Sequence, residues 1–239
     1  MFICRSYPTH AHKTSGRAIS CSSASFRRSS SRRAASPGSR TKHIMRAVIV
    51  DLSEQELEKR RRLGLDRFDE MWQGVYHLVP APEHEHQRVV GKLVVFFDLL
   101  APRGTICLQE NVFEPGAEAA NYRIPDLAWI GKGHEDRIRK NGIHGGPDAV
   151  IEVRSPGDET YDKLEFYARV GAPEVVVIDR DTKVPEVFRL AGSRMVAAVA
   201  DREGWVVSER LRVRMRASAG EPRRLVVEDV DDPTSRAEI

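Results

Sequence analysis

Cysteine is scarce in this 239-residue chain: Cys4 and Cys21 lie near its start, and Cys107 stands alone over the long remainder. A single thiol excludes a disulfide framework or a Cys-based zinc site there, and a reducing, cytoplasmic setting is the expectation. No apolar run approaches the roughly 18 residues that a membrane helix needs, and no secretory-type apolar segment is visible, so no membrane partner is expected. Neither a GxxxxGK[ST] loop nor a GxGxxG fingerprint occurs, which removes the usual nucleotide-binding classes. Ser155 has no His and acid at a recognisable spacing, so a serine-hydrolase triad is not proposed.

Acidic residues are missing altogether from residues 1–44, which hold seven Arg, two Lys and eleven Ser. So few apolar side chains cannot offset the entropy of ordering the chain, and 1–44 reads as a disordered, basic, Ser/Arg-rich tail. Such a composition suits an organellar transit peptide or a nucleic-acid-binding arm. Met45, followed by "RAVIV", reads equally as a natural start with untranslated sequence joined upstream, and this reading is preferred. Removal of 1–44 is expected to leave folding and activity unchanged. The tail carries a charge of +9 and the rest about −6, so the overall +3 says little about partners.

What remains is enough for one core: 45–230 reads as a single domain and 231–239 as a polar C-terminal tail. Residues 53–68 open with a capping-box pattern, Ser53 and Glu56, and predict a solvent-facing helix. "EMWQGVYHLVPAP" predicts a short hairpin. Val89, Val90, Leu93, Val94, Phe97 and Leu100 recur at three- and four-residue spacing, one face of a helix that stops before Pro102. "TICLQENVF", "IPDLAWI" and "PDAVIEV" predict strands, the last two apolar on both faces and so covered above and below. A helix through Leu164, Tyr167 and Ala168, ended by Gly171, precedes the buried strand "EVVVID", and alternating segments follow as an antiparallel extension. The order of elements predicts an α/β or α+β sheet with helices packed on it.

Two acids interrupt these apolar strands. Asp126 follows Pro125 with Ala128 and Ile130 on its own face, and Glu152 sits between Ile151 and Val153. A buried carboxylate costs several kcal/mol unless it is compensated or protonated. If the strands are neighbours, the pair could hold a hard divalent cation, Mg²⁺ before others. The bland alternative is that each acid pairs with an arginine, such as Arg123 or Arg154. Lys163 tips the balance toward chemistry: on a helix it shares a face with Tyr167 and Val170, so its stem would run toward the strand ends. A cation beside two carboxylates could orient a water and offset charge developing at phosphorus.

"PD", then "PDAVIEVRSP", then "DKLEFYARVGAPEVVVID" resembles the bacterial putative restriction endonuclease domain family of the PD-(D/E)XK nuclease superfamily. The resemblance reaches back through "WQGVYHLVPAPEHEHQRVVGKL" and covers most of 70–230. It implies a restriction endonuclease-like mixed central sheet flanked by helices, with Asp126 and Glu152 as metal ligands for Mg²⁺ or Mn²⁺ and Lys163 as the catalytic lysine. It also implies a bacterial endonuclease acting on DNA; a homodimer is compatible with it. The superfamily's commonest form has its lysine two residues after the glutamate, where this chain has Arg154. On the face of Glu152, Arg154 would bind substrate phosphate or neutralise Glu152. His86 and Glu110 are accessory candidates, while Asp162 and Tyr167 read as structural. "GKGHEDRIRKNGIHGG" reads as a mobile, positively charged loop between the acid strands. The rival expectation is an inactive nuclease-fold module that binds nucleic acid or a protein partner.

Overall fold

The computed structural model describes residues 47–49, 53–79 and 81–239, so the expectations for 1–44 lie outside the described residues. Its centre is a six-stranded mixed sheet in the order Arg194–Ala197, Pro185–Ala191, Glu174–Asp179, Ala149–Arg154, Leu127–Gly131, Gly104–Leu108. Only Ala149–Arg154 and Glu174–Asp179 run parallel. Both are Val/Ile-rich and buried almost throughout, as a pair covered on two faces must be.

Helix α1, Glu54–Leu63, begins where Ser53 accepts from the Glu56 N–H; it buries no residue and ends at Gly64, short of the expected 68. Helix α2, His84–Asp98, covers one face of the central sheet. Val89, Val90, Leu93, Phe96 and Phe97 enter a core with Leu127, Trp129, Ile151, Val153 and Val176. The other face packs Ala128, Ile130, Val150, Val175 and Val177 against Phe166 and Tyr167 of helix α3, Leu164–Arg169. Gly171, at φ 81°, ends that helix turn in a left-handed conformation, which suits a residue without Cβ.

The predicted hairpin is Glu70–Trp72 with Val75–Leu78, turned at Gln73 and Gly74, both at positive φ. It belongs to a second sheet with Ala47–Ile49, Tyr122–Arg123, Val112–Phe113, Gly142–His144 and Ile138–Arg139. This divides the expected strand "TICLQENVF": Gly104–Leu108 stays in the central sheet, Gln109 turns the backbone at φ 53°, and Val112–Phe113 crosses to the second sheet. The basic segment between the acid strands is likewise built into that sheet through Ile138–Arg139 and Gly142–His144, rather than forming a mobile loop.

A third, antiparallel sheet, Val206–Ser208, Val213–Ala217, Leu225–Asp229 and Arg236–Glu238, packs Val213, Met215, Leu225 and Val227 onto the core shared with α2. Residues 231–239 are therefore not a free tail. Arg236–Glu238 pairs with Leu225–Asp229 and Ile239 is buried, because the apolar end of a polar segment finds a place in the core. No described helix is long and apolar enough to cross a membrane.

Candidate active site

The acid strands are adjacent and antiparallel, with Ala149, Val150 and Ile151 opposite Trp129, Ala128 and Leu127. The main-chain ladder ends there, since Pro125 supplies no N–H and the chain departs from the sheet. Asp126 stands at this opening, just outside Leu127–Gly131 rather than within it. Its Oδ2 accepts from the Val153 N–H at 2.7 Å, replacing the missing ladder bond with a side chain. Gln109, the residue at positive φ, donates its N–H to the Asp126 carbonyl at 3.2 Å.

Glu152 lies on the α3 face and is buried. Its Oε1 accepts from the Tyr167 hydroxyl at 2.6 Å and lies 3.3 Å from Lys163 Nζ. Lys163 closes the short 3₁₀ turn Thr160–Lys163 immediately before α3, so the turn rather than the helix proper aims its stem at the sheet. His86, near the start of α2, is placed by its Nε2 3.1 Å from Asp126 Oδ2, and its Nδ1 is buried without a partner. Asp126, Glu152, Lys163 and His86 thus converge.

Two other residues complete the cluster and were not assigned to it from sequence. Glu70, at 1% exposure, pairs through Oε1 with Lys163 Nζ at 2.8 Å and accepts the Ile124 N–H at 2.9 Å, while Oε2 accepts from Trp72 Nε1 at 2.8 Å. Tyr167 is the second: a core aromatic as expected, it also holds Glu152. Its position four residues after Lys163 was the available signal.

Neither arginine compensates the acids. Arg154 Nη1 donates to Asp179 Oδ2 at 2.7 Å, because the parallel register sets those residues side by side. Arg123 is buried between the rings of Trp72 and Phe166 and donates to the Met71 and Tyr122 carbonyls and the Asn121 side chain. Glu110 is exposed beyond Gly104–Leu108 and makes no hydrogen bond or ion pair with the cluster among the described residues; Asp162 is exposed as well.

Burial, reinforced by the nearby Asp126 and Glu70 charges, lifts the Glu152 carboxyl to about 7, against the opposing pull of Lys163 and Tyr167. Burial works against the Lys163 ammonium, but Glu152 and Glu70 more than offset it and hold the proton more firmly than usual. His86 is raised despite its burial, by the hydrogen bond and charge of Asp126. Such perturbation in a cluster of largely buried titratable side chains marks a candidate functional site.

A mixed sheet flanked by helices, with two acids and a lysine at the point where strands part, defines a restriction endonuclease-like protein. Residues 55–218 match the family described as "Uma2: Putative restriction endonuclease", and the chain belongs to that family. It is similar to a solved structure from Anabaena variabilis ATCC 29413, described as a putative nuclease belonging to DUF820, with 17% identity and a TM-score of 0.47 over 60% of this chain and 82% of that one. No curated protein matches the chain.

Proposed function

We infer that this protein is a metal-dependent endonuclease that hydrolyses DNA phosphodiester bonds in a cytoplasmic setting, with Asp126 and Glu152 as ligands of Mg²⁺ or Mn²⁺ and Lys163 as the catalytic lysine. The observation that carries the reading is the meeting of two carboxylates across neighbouring strands with an ammonium 3.3 Å from one of them. The family's description supports the substrate class. Exposed Lys132, Arg139 and Lys140 between the acid strands offer positive charge for a phosphate backbone.

The donor set suits a hard divalent cation. No hydrogen bond among the described residues uses Asp126 Oδ1 or Glu152 Oε2, which leaves one carboxylate oxygen on each. No third His, Cys, Asp or Glu among the described residues completes a metal-holding group, so waters and substrate oxygens would fill the remaining positions. Bound there, Mg²⁺ or Mn²⁺ supplies Lewis acidity at the scissile phosphate and charge compensation for the leaving 3′ oxygen.

The chain's own residues do the rest. Val153 N–H and His86 fix the Asp126 carboxylate, and Tyr167 fixes that of Glu152. Lys163, keeping its proton between two acids, donates to water and phosphate oxygens, orienting the nucleophile and offsetting charge as the P–O3′ bond breaks. The pairing of Arg154 with Asp179 removes neutralisation of Glu152 by Arg154 as a motive for the inactive binding-module alternative.

The test is plasmid cleavage with Mg²⁺ or Mn²⁺ against EDTA. D126A, E152A and K163A are each expected to lower the rate by about 100-fold or more, the scale of losing a transition-state charge stabiliser. Cleavage unchanged in all three would refute the assignment, and metal-independent DNA retention without cleavage would favour the binding module.

A further inference from the structure

Glu70 touches the site, and in the reaction as derived it serves only as one of the two acids that hold the Lys163 proton. Its carboxylate is fixed by two N–H donors, Trp72 Nε1 at 2.8 Å and Ile124 N at 2.9 Å, and it could not move without breaking both of these partly buried hydrogen bonds. Lys163 is the adjustable member, an ammonium on a flexible four-carbon stem. Glu70 and Glu152 compete for it, and the shorter contact, 2.8 Å against 3.3 Å, goes to Glu70. Seated wholly on Glu152, that ammonium would take the place of a metal cation and satisfy the carboxylate that should bind one.

We propose that Glu70 is a positioning residue that shares Lys163 with Glu152 and keeps the ammonium from seating wholly on Glu152, which leaves the Asp126–Glu152 pair open to a divalent cation and the ammonium directed at substrate phosphate. The proposal rests on the reading of Asp126 and Glu152 as metal ligands. Trp72 has a defined part in it, because its indole N–H sets the carboxylate that sets the lysine.

The test is Mn²⁺ binding to the metal-free, full-length protein by titration calorimetry, with thermal melts as the check on folding. E70Q releases Lys163 to Glu152 and is expected to weaken Mn²⁺ binding about 10- to 100-fold, the usual consequence of losing a residue that orients a metal ligand set. The double variant E70Q/K163M, with no ammonium left to move, should recover the affinity. W72F removes one donor and keeps the carboxylate; it should shift affinity in the same direction by a smaller factor, and it decides the question if E70Q does not fold. Unchanged affinity in folded E70Q or in W72F, or a loss in E70Q that the double variant does not recover, overturns the proposal. Absence of Mn²⁺ binding by the unaltered protein would instead overturn the metal-site reading beneath it, so the two failures are separable.

Discussion

A carboxyl held at about 7 by burial among other acids makes Glu152 the residue through which pH acts on the metal-free fold. Its pKa is raised above the ordinary 4.5, so the folded state binds this proton more tightly than the unfolded chain. The resulting stability is fully present below pH 4.5 and is lost as pH rises through about 7. His86, also raised, acts in the same direction from its ordinary 6.5 upward. Urea melts in chelator are therefore expected to show stability declining across this window, and E152Q should flatten the decline while leaving the smaller share of His86. A stability that rose with pH between 4.5 and 7 in the unaltered protein, or an equal decline in E152Q, would contradict the assignment.

At the scale of elements, α2 and the acid strands bring the cluster together, and they were also the most legible parts of the sequence. The three- and four-residue spacing from Val89 to Phe97 gave the helix, and the apolar runs around Asp126 and Glu152 gave buried strands, because local periodicity reports which faces are covered, while their pairing side by side comes from the structure. Glu70 was not legible. It sits in a hairpin whose alternation marks a strand but not its destination, and its partner Lys163 is met only through tertiary packing. The division at Gln109 was hidden for a related reason: nothing in "TICLQENVF" says that one half pairs with Leu127–Gly131 and the other with Tyr122–Arg123. Helix α2 carries His86 in its first turn and the fully buried Leu93 further along, so packing and site chemistry can be separated on one element. L93A is expected to cost roughly 2–5 kcal/mol in chemical denaturation, the range for a large-to-small change in a filled core. Below its melting transition it should keep metal-dependent cleavage within a few-fold, since it deletes packing and leaves the charges in place.

At the scale of the whole molecule, the third sheet closes the core that α2 begins, and the last residues of the chain seal it. The composition of 231–239 is polar, but hydrogen bonding decides its role: Ile239 N donates to the Leu225 carbonyl at 2.9 Å, and Leu225 N donates back to Ile239 at 3.0 Å. Arg103, next to the C-terminal end of α2, holds the neighbouring strand through a two-pronged contact with buried Asp229, at 2.9 and 2.7 Å. Deleting 231–239 would strip one edge from Leu225–Asp229, uncover Leu225 and Val227, and leave strand N–H and C=O groups unpaired at a hydrophobic edge. The truncated protein is expected to melt at a lower temperature and to aggregate on heating, with a loss of a few kcal/mol on the scale of one buried aliphatic side chain plus its strand bonds. An R103A variant, cutting the ion pairs with Asp229 and Asp231 and leaving buried Asp229 without its cation, should show part of the same loss without the aggregation. A truncation that melted with the full-length chain would mean that these residues rest on the sheet without stabilising it.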